Sequence, residues 1–359
     1  MGQSCTAMSR KRSAKMKRPS KIAVIGAGLV GAKHARLVRE LADLAAVVDP
    51  SAEGAAIAAE LNAPHFPDVH SYLSQASPDG AIIATPNQLH RDHALACIAA
   101  GVSILVEKPL ADDSASAQEI VSAGDRANIP ILVGHHRRHN PLIAQAKQVI
   151  ADGQLGDIRL VNGQFWLYKP DAYFDVPWRR QPGAGPIFIN LIHDIDLLRH
   201  LCGDIRAVTA TGSNAARGFA VEDTAAMILE FANGALGTVT VSDAVVSPWS
   251  WEFAAHENPA YPETDTSSYV IGGSHGSLSI PDLTFWSQPQ GRDWWKPIKS
   301  ERVPFDSDDP LIRQIHHFCD VLEQGASPIV SGAEGLATLQ VVEAIQTAIV
   351  TGERQVVPT

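Results

Sequence analysis

The segment Lys21–His34, KIAVIGAGLVGAKH, constrains the fold more than any other part of the chain. KIAVI is a short β-branched apolar run, as expected of a strand buried on both faces. The three glycines that follow have the G-x-G-x-x-G spacing. Gly26 allows a tight turn, Gly28 lets the backbone approach a pyrophosphate, and Gly31 allows a helix to pack closely on the strand. The pyrophosphate of a dinucleotide would bind the free N–H groups at the start of that helix.

An acidic residue ends the next predicted strand. Asp49 follows the run AAVV, 18 residues after Gly31, where a carboxylate can accept hydrogen bonds from the adenosine ribose. A 2′-phosphate at this position would meet a like charge, so the sequence predicts NAD in preference to NADP. An ordinary glycine-rich turn would leave the position of Asp49 unexplained.

Strand and helix signals alternate up to about residue 140 and predict six parallel strands. We therefore expect a Rossmann domain, a doubly wound parallel sheet, over residues 21–140. Within it, Asn87 is a predicted N-cap, and Ser116 with Glu119 a predicted capping box.

The pattern changes after Pro141, where strand-like runs follow one another. Asn233-Gly234 between two such runs is typical of a type I′ hairpin. Residues 141–359 are therefore predicted to form an α+β domain with a largely antiparallel open sheet, for substrate binding and oligomerisation. Residues 244–268 contain two tryptophans, three prolines and several acids and are predicted as a long functional loop.

Composition narrows the class of protein. Hydrophobic residues make up 45% and charged residues 19% of the 359, which is ordinary for a globular protein, and no apolar run is long enough to span a bilayer. The four cysteines include no C-x-x-C pair, so neither a disulfide framework nor a zinc site is expected, and a cytoplasmic location fits. They are Cys5, Cys97, Cys202 and Cys319.

Charge is distributed unevenly along the chain. The formal net charge is −10, yet the first 20 residues hold six basic and no acidic side chains, so residues 21–359 carry −16. An acidic body argues against nucleic acid as a partner. Residues 1–20 are predicted to be a disordered basic extension, and Met16 is an alternative first residue.

Polar side chains follow the fourth, fifth and sixth predicted strands, in the segments TPNQLH (85–90), EKP (107–109) and GHHRRHNP (134–141). Ligands of doubly wound sheets bind beyond these strand ends. Lys108 can hydrogen-bond a substrate hydroxyl there and stabilise a developing alkoxide. The predicted cofactor contacts are Gly26, Ala27, Gly28, Leu29, Val30, Gly31, Asp49, Thr85, Pro86, Asn87, His90, Glu107 and Lys108.

A glycine-led helix, residues 183–203, supplies the second cluster. Its His193 has a reference pKa near neutrality and can take the proton of a substrate hydroxyl; packing of this histidine at a helix start is the alternative. The predicted substrate contacts are Arg137, Trp178, Arg179, Asn190 and His193. A metal is not expected at the histidines of residues 135–139, because two arginines inside that tract would repel a cation.

These segments together resemble the Gfo/Idh/MocA oxidoreductase family from about residue 20 to the end. The resemblance implies an N-terminal Rossmann domain, a C-terminal open-sheet domain, and homodimers or homotetramers assembled through that sheet. It also implies an NAD-dependent dehydrogenase or reductase acting on a carbinol carbon of a sugar, cyclic polyol or related ring. Lys108 matches the family's catalytic lysine and His193 its proton-transfer histidine. Ile189 stands where many members have aspartate, which weakens the likeness to polyol dehydrogenases.

Two alternatives stay open. Some relatives are NAD-dependent glycosidases, which oxidise the sugar transiently, eliminate the aglycone and reduce the product again without net NADH. A non-enzymatic NAD-sensing protein would not need Lys108 and His193 together, and their joint presence argues against it.

Overall fold

Strand and helix alternate through the first third of the chain. The computed structural model describes residues 19–358. The predicted basic extension, residues 1–20, therefore lies almost wholly outside the described residues. The strands are β1 (Lys21–Ile25), β2 (Asp43–Val48), β3 (His65–Phe66), β4 (Gly80–Ile83), β5 (Ser103–Val106) and β6 (Ile131–Val133). The helices are α1 (Leu29–Leu41), α2 (Ala52–Glu60), α3 (Val69–Leu73), α4 (Asn87–Ala99) and α5 (Ser114–Ala127).

The six strands form one parallel sheet in the order β3-β2-β1-β4-β5-β6. Ile22 and Val24 point to one face of β1 and Ala23 and Ile25 to the other, and each is at most 2% exposed. Burial on both faces explains the unbroken apolar run. The prediction of a doubly wound Rossmann sheet is confirmed.

Two predicted helix caps are wrong. Asn87 is the first residue of α4, and the N-cap is Pro86, whose ring fixes φ at −55°. The N-cap of α5 is Asp113, because its carboxylate accepts a hydrogen bond from the N–H of Ser116. In both cases the cap lies earlier in the chain than the pattern indicated.

The second sheet has nine strands among the described residues, in the order β14-β13-β12-β11-β7-β10-β9-β8-β15. Only the β7–β10 pairing is parallel, so the predicted, largely antiparallel sheet is confirmed. Its strands are β7 (Ile158–Trp166), β8 (Ile205–Ser213), β9 (Thr224–Phe231), β10 (Leu236–Ser242), β11 (Tyr269–Gly273), β12 (Gly276–Ile280), β13 (Thr284–Ser287), β14 (Lys299–Arg302) and β15 (Gln355–Val356).

The helices of this second part are α6 (Pro141–Ala151), α7 (Ile192–Cys202), α8 (Trp251–Ala254), α9 (Pro310–Gln324) and α10 (Gly332–Thr351). Short 3₁₀ helices cover His136–His139, Asp171–Asp175 and Pro177–Arg180, and a π-helical turn, Ile187–Leu191, precedes α7. No helix in the described part of the chain is long and apolar enough to cross a membrane.

Helices α9 and α10 return to the first sheet. Phe318 of α9 packs with Val24 in one apolar cluster, and Leu339 of α10 packs with Ile83 in another. A Cβ on Gly80 would lie 2.8 Å from the Phe318 ring, so the sheet and α9 are in close contact. The C-terminal helices thus complete the core of the Rossmann sheet. The predicted division at residue 140 stays a prediction.

The turn between β9 and β10 differs from the predicted type. A type I′ turn needs positive φ at both central residues, but of Asn233 and Gly234 only the glycine has one, at +89°. The N–H of Gly234 donates to the carbonyl of Phe231, and the Asn233 side chain accepts from the N–H of Ala235. The hairpin is confirmed and its type I′ geometry is wrong.

Candidate active site

A cavity of about 970 Å³, the glycine-turn cavity, lies at the carboxyl end of β1. The predicted cofactor contacts that line it are Gly26, Ala27, Gly28, Leu29, Val30, Asp49, Thr85 and Pro86. Trp178, from the second part of the chain, also lines it. Leu29 is 93% exposed at the start of α1, so an apolar side chain and free helix N–H groups together face the opening.

The three glycines do what their spacing predicts. Gly26 has a φ of +91°, which L side chains rarely adopt. A Cβ on Gly31 would lie 1.9 Å from the carbonyl oxygen of Gly26, so only glycine lets α1 approach the turn. A Cβ on Gly28 would meet no atom of residues 19–358 within 4 Å. The backbone at Gly28 therefore faces open space of the kind a pyrophosphate needs.

Asp49 is an ionised carboxylate on the wall of this cavity. One oxygen accepts from the N–H of Ala27 at 2.7 Å, and the other accepts from the N–H and hydroxyl of Ser51. Partial burial alone would raise the pKa of Asp49, but the hydrogen bonds from Ser51 and Ala27 outweigh it and hold that pKa below its ordinary value. A permanent negative charge thus lies where the ribose is expected.

The other predicted contacts divide by position. Asn87 lines a second cavity, described below. The ring nitrogens of His90 lie 2.8 Å from the carbonyl oxygens of Pro109 and Thr85, so this buried ring joins the two strand-end segments. The carboxylate of Glu107 lies 2.7 Å from Nε2 of His34, which is buried on α1. Neither His90 nor Glu107 lines the glycine-turn cavity.

Glu107 is held in its charged form. Burial raises its pKa, but His34 more than offsets this and lowers the pKa to about 2. Its second oxygen accepts from the N–H of Lys108 at 3.2 Å. This arrangement fixes the chain at the end of β5, directly before Lys108, where the Lys108–Pro109 peptide is cis.

The second cavity, of about 520 Å³, is the lysine cavity. Its lining includes Asn87, Lys108, Pro109, Tyr173, Trp178 and Ile189. Trp178 is 54% exposed and lines both cavities, so the two adjoin at its indole ring. A ligand across the glycine turn and a second ligand against Lys108 would therefore meet.

Lys108 links the two parts of the chain. Its Nζ donates a 3.0 Å hydrogen bond to the backbone carbonyl of Ile189, in the π-helical turn before α7. Burial lowers the pKa of Lys108 to about 8; Glu107 opposes this, and Arg137 adds to it. The carbonyl of Ile189, rather than a side-chain carboxylate, is the partner of the lysine.

His193 lies in the first turn of α7 and is 9% exposed. Its ring stands edge-on to His135 and His136, with centroids 5.9 and 5.4 Å away. Its Nδ1 is buried and has no hydrogen-bond partner in the described residues. Burial, followed by the charges of Lys108 and Arg137, lowers the pKa of His193 well below 6.5. The ring is therefore neutral and able to accept a proton.

Arg137 is enclosed by acids. Its guanidinium donates to Glu252 at 2.9 Å, lies 3.6 Å from Asp194, and stands over the Trp251 ring at 5.1 Å. The hydroxyl of Tyr269 also donates to Asp194. Burial raises the pKa of Asp194 to about 7, against the lowering effect of Arg137. Arg137 thus has its charge largely compensated by protein groups.

The loop of residues 244–268 supports the histidines. Glu257 accepts hydrogen bonds from His136, Asn140 and Trp251 at 2.9, 3.0 and 3.1 Å. Sequence reasoning singled out this loop through its tryptophans and acids but assigned no residue of it to the site. Its acids lie over 100 positions from their partners, and only the fold brings them together.

Of the predicted substrate contacts, Trp178 lines the lysine cavity. Asn190 and Arg179 do not line it, but each directly follows a lining residue in the chain. Asn190 lies in the π-helical turn, and its Oδ1 is buried without a partner among residues 19–358. The guanidinium of Arg179 stands 4.0 Å over the Tyr173 ring and 5.6 Å from the centroid of Trp178. Sequence reasoning missed Tyr173 and, beside it, Lys169. The described residues contain no group of three or more His, Cys, Asp or Glu side chains placed to hold a metal ion.

Two family models match the chain. The model described as "Oxidoreductase family, NAD-binding Rossmann fold" matches residues 20–135, and the "GFO/IDH/MocA C-terminal domain" model matches residues 143–279. Inositol 2-dehydrogenase 2 of Saccharopolyspora erythraea is 30% identical over 346 residues, which cover 92% of this chain and 93% of that protein.

Solved structures share the fold. An oxidoreductase from Agrobacterium radiobacter, crystallised with NAD⁺, L-tartaric acid and magnesium, has a TM-score of 0.80 at 22% identity and covers 94% of this chain and 98% of its own. A levoglucosan dehydrogenase in complex with NADH and levoglucosan has a TM-score of 0.79 at 22% identity and covers 95% and 100%.

The strand–glycine–helix unit, the open sheet and the lysine at the strand end define a nicotinamide-dependent oxidoreductase. The chain belongs to the Gfo/Idh/MocA family. The predictions of this family, of an NAD-binding Rossmann domain, and of an NAD(P)-dependent oxidoreductase acting on CH–OH groups are confirmed.

Proposed function

We propose that the chain is an NAD-dependent dehydrogenase or reductase whose substrate is a sugar, a cyclic polyol or a related ring compound. One observation carries the proposal. The hydrogen bond from Lys108 to the carbonyl of Ile189 joins the strand end of the Rossmann domain to the segment that leads into the His193 helix. A cation and a neutral imidazole from two parts of the chain thereby act on one substrate.

The chemistry of each residue follows from its environment. NAD, when bound across the glycine turn, supplies the hydride acceptor. His193 is uncharged, so it takes the proton of the substrate hydroxyl as general base. Lys108 donates from Nζ to the same oxygen and stabilises the negative charge that develops there. In the reducing direction the protonated His193 returns its proton to the carbonyl oxygen of the substrate.

The cofactor preference rests on Asp49. Its oxygens already accept from backbone and Ser51 donors, so the carboxylate is ionised and would repel a 2′-phosphate. Asp49→Ser should bring the dissociation constants of NAD and NADP closer together by about tenfold, measured by titration calorimetry. Unchanged constants for both cofactors would remove Asp49 from the ribose site.

A substrate panel tests the proposed activity. NADH formation at 340 nm should appear with at least one member of a set of aldoses, inositols, sugar acids and anhydro sugars. The same assay with aryl glycosides separates the two chemistries, because a glycosidase would release the aryl group without net NADH. An inactive panel with tight NAD binding would favour the non-enzymatic alternative.

We also propose a homodimer or homotetramer formed through the outer face of the nine-stranded sheet. Its strands alternate buried residues with exposed apolar ones, which include Leu160, Ile228, Leu236 and Val270. Such an exposed apolar face is typical of a protein interface. Light scattering should give two or four chains for the wild type and one for the Ile228→Lys, Leu236→Lys variant. A monomeric wild type would contradict the proposal.

A further inference from the structure

Two cations lie close to one aromatic ring beside the lysine cavity. The Nζ of Lys169 stands 5.0 Å from the centroid of Tyr173, and the guanidinium of Arg179 stands 4.0 Å from it. Tyr173 itself lines the cavity together with Lys108. Lys108 therefore lines the space in which the proposed substrate would lie, and two further cations stand against a ring that lines it.

Each of the two cations has a buried donor atom without a hydrogen-bond partner in the described residues. Lys169 is 7% exposed, and its Nζ has no hydrogen-bond partner within residues 19–358. The Nε of Arg179 is likewise buried and unpartnered, although its NH1 donates to the backbone carbonyl of Tyr173. Buried donors without acceptors are costly, and an acceptor arriving from a ligand would remove that cost.

The acids nearby do not fully compensate these charges. The nearest carboxylate to Lys169 is Asp243, at 3.6 Å, and Asp243 also accepts from Arg217 at 3.0 Å. In the described structure Arg179 forms no ion pair with a carboxylate within 4.0 Å. Among the lining residues of the cavity the sole carboxylate is Asp112. Burial lowers the pKa of Lys169, so an anion that approached it would also stabilise its charged form.

Arg137 provides the contrast. It is an equally buried cation, but Glu252 and Asp194 lie against it. Nε and NH1 of Arg137 also lack a hydrogen-bond partner in the described residues, but its NH2 donates to Glu252 at 2.9 Å, so an anion at Arg137 would lie against that carboxylate. No described carboxylate accepts a hydrogen bond from Lys169 or Arg179. The anion-binding capacity of the site therefore lies on the Tyr173 side.

We propose that the substrate ring carries a carboxylate, and that Lys169 and Arg179, which both lie beside Tyr173, bind it. This inference rests on the proposed function and narrows its substrate class to sugar acids and ring polyols with an acidic group. A carboxylate accepts charge-assisted hydrogen bonds from both cations. Lysine can reach toward such a group because its ammonium lies on a flexible four-carbon stem.

Matched substrate pairs provide the test. The pairs are D-glucose with D-glucuronate, D-galactose with D-galacturonate, and myo-inositol with quinate. The wild type should show kcat/KM values about 10- to 100-fold higher for the acid of at least one pair, as one or two charge-assisted hydrogen bonds allow. Lys169→Met and Arg179→Met should each move that ratio toward one, mainly by raising KM for the acid.

Lys169→Arg is the control, because it keeps the charge and should retain most of the ratio. Titration with NAD should give the same affinity for all variants and so report on folding. Turnover that favours the neutral member of every active pair would overturn this inference and leave the proposed function standing. A ratio of kcat/KM for acid over neutral substrate that keeps its wild-type value in both Lys169→Met and Arg179→Met would overturn it as well. No NADH from any of the six compounds would count against the proposed function itself.

Discussion

The two cavities of the active site are shaped by different parts of the chain. Around the glycine-turn cavity, backbone geometry sets the shape: a positive φ at Gly26, contact of α1 with the turn at Gly31, and open space at Gly28. Beside the lysine cavity, charged side chains from distant parts of the chain are paired, as Arg137 is with Glu252. Backbone geometry depends on neighbours in sequence, whereas charge pairing depends on the completed fold.

Loss of a buried charge pair near the lysine cavity should lower the free energy of unfolding more than a substitution in the glycine turn. Arg138 donates to both oxygens of Asp196 at 2.7 and 2.8 Å and to Glu334 at 2.8 Å, and Arg138 and Asp196 are almost fully buried. Arg138→Met leaves a buried carboxylate with Thr338 as its remaining described side-chain donor. We expect a loss of about 3–5 kcal/mol in the free energy of unfolding, measured with urea at pH 7.

A surface pair gives the control for that measurement. Arg36 and Glu60 form a bidentate pair that is about half exposed, so Arg36→Met should unfold at nearly the wild-type urea concentration.

Arg138 helps to hold the pKa of Asp196 low, against the raising effect of burial. A lowered pKa adds stability that is lost as pH falls, so the Arg138→Met deficit should shrink below about pH 4. Equal losses of unfolding free energy in Arg138→Met and Arg36→Met at pH 7 would show that the buried pair stabilises the fold no more than the exposed pair.

Two glycine substitutions test how the backbone shapes the glycine-turn cavity. Gly31→Ala places a methyl group 1.9 Å from the oxygen of Gly26 and should cost about 1–3 kcal/mol of stability through overpacking. Gly28→Ala meets no described atom within 4 Å, so it should unfold like the wild type. It should still bind NAD about tenfold more weakly, because the methyl group fills the space for the pyrophosphate.

Thermal unfolding with and without NAD separates the two effects. Gly31→Ala should lower the melting temperature in both conditions, and Gly28→Ala should lower only the shift that NAD produces. A Gly28→Ala protein that binds NAD like the wild type would show that the pyrophosphate lies elsewhere.

The smallest expected effect is a dependence on pH. Lys108, with a pKa of about 8, must be protonated to stabilise the oxyanion, so kcat/KM should fall as pH rises through about 8. His193 must be neutral, and burial sets its pKa well below 6.5, so the acid limb should lie well below that value. Lys108→Arg should abolish the alkaline limb, because arginine stays charged. An unchanged limb in that variant would assign it to another group.

The difference between the cavities also explains what could be predicted from sequence. The glycine turn, Asp49 and Lys108 follow short buried strands at fixed spacing, so their positions could be derived from neighbouring residues. No glycine spacing or strand-end motif of this kind marks Lys169 or Glu257 in the sequence. Lys169 follows a strand of the second sheet, and Glu257 is hydrogen-bonded to His136, which lies 121 residues earlier in the chain.

Two local details were also beyond the sequence pattern. The N-cap of α5 is Asp113 although Ser116 and Glu119 fit a capping box, because the Asp113 carboxylate accepts from the N–H of Ser116 and caps the helix three residues earlier. The turn at Asn233-Gly234 took one positive φ rather than two. Neighbouring strands, as much as the dipeptide, decide such a turn.

We propose that the Rossmann domain binds NAD while Lys108 and His193 together carry the proton chemistry. NAD affinity and single-turnover rate, determined on the same preparations of Lys108→Met and His193→Asn with the best compound of the panel, test this proposal. The rates should fall by about 10²- to 10⁴-fold in each variant, with NAD dissociation constants within about twofold of the wild type. Unchanged rates, or rates that fall only in proportion to lost NAD affinity, would contradict it.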